Sequence, residues 1–439
     1  MLESWACISI DRHSNYCPAA AARKTREMAS DPNLTISVHE NLESLEPLRP
    51  EWSALLSEYP YSTTFSTYEW LASWWRAFGG GDKLLVLAFR EAAPSATLVG
   101  LAPLTVTMHK SFPFRLRMLR LMGDGSHDSD NLDLPVKPGF EERFAESLLH
   151  FLESKRHAWD FAELNTMPPQ SPGAKALQQA LARRNWEVVE NQRPASAIPL
   201  PGTWEEYLSS LSAKERGKIG LRTRRLEKRY EVRIQKCVAE GELNLFLGAL
   251  YELHGKHWQR RGLPGTLHLP ARRQFYRELA GLLLKRSRLE LWALGLKEQI
   301  VAAQFGLRHG STVFSLQEGF DPDYAGDSVG YVLRSQVLKQ LISDGVRRYD
   351  FLGGIDESKK RWGAEAEHYL DLKFARPFSV GAAYLQTRRY AVRSKSWMRQ
   401  NVPAVWEVLH KINVGLRRSG NKTNQAGNTP EEESEIRPQ

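Results

Sequence analysis

The chain has 439 residues, with 60 Lys and Arg against 51 Asp and Glu and a net charge of +9; at roughly 150 residues per domain the length allows two or three domains. A hydrophobic fraction of 42% that includes 13 Trp excludes a disordered chain. The three cysteines (Cys7, Cys17, Cys237) show no Cys-x-x-Cys and no His at metal spacing, which excludes a disulfide scaffold or structural zinc site and points to a reducing compartment.

Residues 1–30 have no hydrophobic periodicity and no apolar signal-peptide core, so they read as a disordered or over-extended start. A strand-like Leu34-Thr-Ile-Ser-Val38 follows. Residues 70–78 predict a short aromatic helix, more suited to a core than to a ligand platform. Residues 83–89 and 97–106 predict a hairpin, 144–155 an amphipathic helix, 159–164 a strand and 174–184 a further helix. Residues 194–202, with three prolines, read as a domain linker. The second part repeats the order. Helices are expected at 243–261 and 271–285, a hairpin at 289–296 and 300–308, strands at 311–318 and 348–352, and a helix at 329–343. Each half leads into an aromatic-Asp-Phe strand, Trp159-Asp160-Phe161 and Tyr349-Asp350-Phe351, which indicates an internal duplication of one α/β unit.

Much of the positive charge sits in two segments. Ten cations lie in a helix expected over 214–236 (Lys214, Arg216, Lys218, Arg222, Arg224, Arg225, Lys228, Arg229, Arg233, Lys236), and a basic amphipathic stretch with Trp397 and Trp406 spans 388–418. Such concentration argues against a diffuse DNA-binding surface and leaves a solvated face, an anionic acceptor, RNA or an anionic membrane as readings. The longest apolar run, residues 279–284, is far short of the ~20 residues of a membrane span. Residues 419–439 close on acidic, core-poor sequence and read as a disordered tail.

Nucleophile-elbow, P-loop, dinucleotide and His-Glu-x-x-His motifs are missing from the sequence. His127, Asp128, Asp130 and Asp133 lack octahedral-site spacing and read as a polar loop, so no metal is expected. The informative segment is 310–363. A strand ends in Gly319-Phe-Asp-Pro-Asp-Tyr324, and the small-residue loop Ala325-Gly-Asp-Ser-Val-Gly330 opens a helix. Free N–H groups and the positive dipole end of such a turn suit a pyrophosphate, although Asp327 or Ser328 also reads as an ordinary N-cap.

The order of elements resembles that of GNAT acyltransferases. The residues themselves resemble the CelD-like branch, cellulose-biosynthesis acetyltransferases related to FemAB ligases. The stretches that carry this are Phe65-x4-Trp70-x3-Trp74-Trp75-x2-Phe78-Gly79, Val99-Gly-Leu-Ala-Pro-Leu104, Arg222-x2-Arg225-Leu226, His254-x2-His257-Trp258-x2-Arg261-Gly262, Val301-Ala-Ala303, Gly319-Phe-Asp-Pro-Asp-Tyr324 and Lys359-x2-Trp362-Gly363. The resemblance implies an α/β (α+β) fold of tandem GNAT-like domains, each a mixed central sheet flanked by helices. The N-terminal one would span 31–195 and the C-terminal one 203–378, followed by a basic helical extension at 379–418. It implies a cytoplasmic enzyme, peripheral at the inner membrane through 388–418, moving an acetyl or other acyl group from acyl-CoA to an amine or hydroxyl of a sugar or cell-envelope polysaccharide precursor. A FemAB-type ligase using aminoacyl-tRNA, or a non-catalytic component of an exopolysaccharide complex, is the alternative. Ala325 stands where Gln or Arg is usual in the pyrophosphate turn, leaving the donor open between acyl-CoA and tRNA.

Donor contacts are then expected from Leu316, Gln317, Asp327, Ser328, Val329, Gly330 and Tyr331, and acceptor contacts from Lys359, Trp258, Arg222 and Arg225. Acyl transfer needs a base and oxyanion donors. Glu318 at the strand end is the first candidate, with His254 and Asp350 as further catalytic candidates.

Overall fold

Twelve strands form one continuous sheet in the computed structural model, which describes residues 34–92, 96–111, 113–260 and 262–402. The expectations for 1–30, for 419–439 and for the 403–418 part of the basic extension lie outside those residues. The first half comprises β1 (Leu34–His39), α1 (Arg49–Glu58), α2 (Tyr68–Phe78), β2 (Lys83–Glu91), β3 (Leu98–Ser111), β4 (Phe114–Leu121), α3 (Glu141–Ser154), β5 (Phe161–Met167), α4 (Pro172–Arg183) and β6 (Glu187–Pro199). After α5 (Trp204–Ser210) and α6 (Ala213–Arg229), the second half repeats that order. It runs β7 (Val232–Lys236), α7 (Leu243–Gln259), α8 (Pro270–Lys285), β8 (Leu289–Leu296), β9 (Gln299–His309), β10 (Thr312–Phe320), α9 (Val329–Ser343), β11 (Arg348–Gly353), α10 (Glu357–Lys360) and β12 (Glu365–Ala375). The chain then enters α11 (Val380–Asn401).

The sheet order is β1-β2-β3-β4-β5-β12-β6-β11-β10-β9-β8-β7. Each half ends in a strand that the other half uses. β6 pairs with β11 of the second half, β12 pairs with β5 of the first, and the two run antiparallel from Glu365↔Ala197 to Ala375↔Glu187. Residues 194–202 are therefore not a free linker. Their prolines sit in or beside β6, and a Pro that donates no ladder hydrogen bond is tolerated where pairing is irregular; the β6–β11 register breaks between Asp350 and Gly353. The basic helix is also shorter than expected, since Val232–Lys236 forms the edge strand β7. Cationic side chains on an edge strand discourage pairing with other chains.

The aromatic helix α2 is core. Trp70 and Trp74 are buried, with Nε1 donating to Ser129 Oγ (3.0 Å) and Ser126 Oγ (2.9 Å). It also joins the halves: Trp70 meets Phe275 of α8 and Phe65 meets Phe314 of β10, each at 5.2 Å between centroids. The start of α11 folds back on the first half, burying Ala382, Tyr384 and Leu385. Gly381 permits this approach, because a Cβ there would lie 2.0 Å from the carbonyl oxygen of Asp160.

Both halves contain a short parallel pair, β4/β5 and β10/β11, each joined over three residue pairs. In the first half the polar loop beyond β4 is held by buried partners. Asp128 accepts from Tyr276 (3.0 Å) and pairs with Arg272 (2.9 Å), and Asp130 accepts from the backbone N–H of Gly353 (2.9 Å). Asp133 accepts from Tyr59 OH (2.5 Å), Ser171 Oγ (2.6 Å) and the N–H of Leu134 (2.8 Å).

Burial outweighs those bonds and pushes the Asp133 carboxyl up to about 6. The folded value lies above the unfolded one near 3.9. Its contribution to stability is thus full below about pH 4 and is lost as pH rises through about 6. Asp133→Asn should flatten this loss, worth about 3 kcal/mol between pH 4 and 8. Urea denaturation across that range measures it; parallel pH profiles for the two proteins would refute it.

Candidate functional site

In the second half the parallel pair opens. β10 leaves its regular register with β9 between Ser315 and Gln317, a bulge centred on Leu316, and it pairs with β11 only from Thr312↔Arg348 to Phe314↔Asp350. A bulge bends its strand and leaves one residue out of the ladder. Beyond it the parallel strands part, and a cleft of about 630 Å³ opens between β10, β11 and the N-termini of α9 and α10.

Most of the expected residues line this cleft: Glu318, His254, Leu316, Gln317, Ser328, Val329, Gly330, Tyr331, Lys359, Trp258 and Arg222. Three do not. Asp350 is buried outside it, pairing with Arg348 (2.8 Å) and accepting the N–H of Leu352 (2.7 Å), a residue at φ +62°. It supports the irregular end of β11, and that geometry gives it no route to a substrate. Asp327 pairs with Arg229 and accepts from Tyr230 OH (3.1 Å), tying α6 to the turn before α9. Arg225 is exposed on the outer side of α6.

The α9 turn is built for an anion. Ser328 stands at φ +58° and its side chain caps no N–H, so the first-turn N–H groups of a fifteen-residue helix face the cleft with the positive dipole end. Tyr331 lies between the guanidinium of Arg222 and the ring of Trp362, at 4.3 Å on each side. Lys359 is not a free point charge. Its ammonium donates to the carbonyls of Gly353 (2.7 Å) and Gly354 (2.9 Å) and reaches Phe351 O (3.4 Å), holding the turn after β11; burial pulls its pKa down.

Glu318 points into the cleft and pairs with Arg334 of α9. Arg334 was not among the residues expected from the sequence. The available signal was a lone cation at the position that shares a face with Val337, Leu338 and Leu341, an apolar stripe at i+3, i+4 and i+7. Its guanidinium sits over Phe351 (5.2 Å) and Trp362 (5.8 Å). Burial opposes its charge, and Glu318 with Tyr349 more than offsets that, raising its pKa. Gln304 and Tyr349, bonded Nε2 to OH at 2.5 Å, were also missed.

His254 is buried on α7, where Gly319 of β10 allows close contact: a Cβ there would lie 2.4 Å from the His254 backbone nitrogen. Burial, then His257 and Arg272, lower its pKa to about 4, so the imidazole is neutral at pH 7. With Trp258, His257 and Phe320 it forms an aromatic wall, His257 and Phe320 lying 4.8 Å apart.

Residues 213–361, about a third of the chain, match the acetyltransferase (GNAT) domain family. The open cleft lies almost wholly within this matched stretch. Among solved structures, that of FemX is similar over 77% of this chain and 98% of its own, at 13% identity and a TM-score of 0.54. A protein of unknown function from Bacteroides thetaiotaomicron covers 78% and 100% at 14% identity and a TM-score of 0.49. A tandem GNAT protein from the clavulanic acid biosynthesis pathway covers 78% and 98% at 13% identity and a TM-score of 0.41. Of these, the FemX likeness is the one that bears on the fold, and on the fold alone. No curated protein matches the sequence. The fold class is α/β, two halves of one element order around a mixed sheet, the second of which carries the GNAT match.

Proposed function

We propose that the chain is an acyltransferase that moves an acetyl or other acyl group from acyl-CoA to an amine or hydroxyl, with a sugar or cell-envelope polysaccharide precursor as acceptor. The observation that supports this most is the splay of β10 from β11 at the Leu316 bulge, beneath the uncapped N-terminus of α9 and inside the stretch that matches the GNAT domain family. In this reading the pantetheine lies between the parted strands and the pyrophosphate meets the N–H groups at Ser328–Tyr331. The backbone N–H released by the bulge polarises the thioester carbonyl. Glu318 takes the acceptor proton. The acceptor nitrogen or oxygen bonds to the acyl carbon, the carbon–sulfur bond breaks, and the leaving thiolate takes up a proton. His254, neutral at pH 7, orients the acceptor by hydrogen bonding.

No helix among the described residues is long and apolar enough to cross a membrane. We place the enzyme in the cytoplasm, with α11 and the basic residues that follow it touching an anionic inner-membrane surface; exposed Tyr390 and Trp397 among Arg389 and Arg393 support this.

The resemblance to FemAB ligases, with Ala325 standing where the pyrophosphate turn usually has Gln or Arg, keeps an aminoacyl-tRNA donor as the second reading. Thermal-shift titration separates the two. Acetyl-CoA, longer acyl-CoAs and CoA should stabilise the protein, by about 2.7 kcal/mol at a hundredfold excess over Kd. The absence of a shift with every CoA species would overturn the acyl-CoA reading in favour of tRNA or a non-catalytic role.

A further inference from the structure

The cations of the cleft are not equivalent. Lys218 is paired with Glu215 (2.6 Å), Arg222 lies flat on Tyr331, and Lys359 is held by backbone carbonyls. Arg334 differs in its counter-ion. Its own side chain is 14% exposed, whereas that of Glu318 is 56% exposed. The pairing is also incomplete. Glu318 engages Nη2 alone, and the buried Nε of Arg334 has no acceptor among the described residues. Nε and Nη2 form one edge of the guanidinium fork, which a carboxylate or phosphate can take with two oxygens at once. A buried guanidinium cannot simply be abandoned, because leaving a charge unpaired in the interior costs several kcal/mol. Glu318 can therefore leave Arg334 to act on a proton only when another anion replaces it.

We propose that the acceptor carries a carboxylate or phosphate group that docks bidentately on Nε and Nη2 of Arg334 and displaces Glu318, so that the base is released only when an anionic acceptor is in place. This rests on the acyltransferase reading of the cleft and names the acceptor as an anionic amine or alcohol. A neutral acceptor leaves the pair closed and Glu318 occupied.

The test uses the full chain saturated with CoA, which fills the donor site, and titrates acetate and inorganic phosphate by calorimetry at constant ionic strength. Glu318→Gln removes the competing charge and should bind one of these anions at least about tenfold more tightly than the unaltered protein. The double variant Glu318→Gln, Arg334→Gln should lose that gain, and Glu318→Gln with Arg334→Lys should lose most of it, since a point charge cannot fill a fork. Whether acetate or phosphate gains more tells a carboxylate-bearing acceptor from a phosphorylated one. Equal affinity in Glu318→Gln and the unaltered protein, or tight binding that survives loss of Arg334, overturns the proposal. The comparison of Glu318→Gln with the unaltered protein does not depend on the Arg334 variants folding. Should CoA itself fail to bind, the acyl-CoA reading falls alone; the Arg334-dependent part of the anion affinity, measured without CoA, still decides this one.

Discussion

Glu318→Gln should lower acyl transfer by roughly a hundredfold to ten-thousandfold, the usual contribution of a general base, while leaving the affinity for CoA unchanged. The reason is positional. Glu318 lies two residues past the Leu316 bulge, where β10 has already parted from β11, and its carboxylate faces the cleft. In the proposed reading the pyrophosphate sits across that opening at the α9 turn, and the pantetheine is met by the strand before Glu318 and not by its carboxylate. The amide of Gln can still accept a hydrogen bond from Arg334, so the variant should fold. Steady-state turnover with a saturating acceptor, beside calorimetry with CoA, separates the two effects. Unchanged turnover removes Glu318 from the role of base, and weakened CoA binding would mean that it holds the donor instead.

Trp70→Ala should destabilise the protein by about 3–5 kcal/mol, the usual cost of deleting a fully buried large aromatic. Trp70 is buried, bonds Ser129 and sits edge-on to Phe275 of the second half. With Phe65 against Phe314 it forms an aromatic joint beneath the strand that opens the cleft. The joint and the exchanged strands β6 and β12 make each half incomplete alone, so chemical denaturation should show one transition whose midpoint falls in the variant. Two separate transitions in the unaltered protein would refute this coupling.

Much of the fold was legible in the sequence where one element carried its own signal. The 3.6-residue periodicity of α3 and α4, the hairpin β8–β9 and the helix–strand order of both halves need only local patterning. The cleft residues from Leu316 to Tyr331 were legible because the bulge strand, the 3-10 turn and the helix start are contiguous in sequence. β6 was not legible. Its exposed stretch over residues 190–194 and its prolines look like a linker, and only its pairing with β11 and β12 makes it a strand. Asp350 drew a functional reading because a carboxylate flanked by aromatics at a strand end can face a polar pocket, but its partner Arg348 ties it to the end of β11. Lys359, expected from the family resemblance, lines the cleft and also holds the carbonyls of Gly353 and Gly354.

The net charge divides along the same line. Composition and local order alone determined that the cations are concentrated, that two similar α/β units follow one another, and that a strand-to-helix turn suited to an anion lies in the second. Which cations face a substrate was decided by tertiary structure. Arg222 and Arg334 line the cleft, Arg225 points to solvent, and Arg229 is tied to Asp327. The opening of the cleft was decided there too. Periodicity records which face of an element is buried but not where two neighbouring strands part, and the carboxylates at Asp128, Asp130 and Asp133 meet Arg272, Gly353 and Tyr59 only in the tertiary fold.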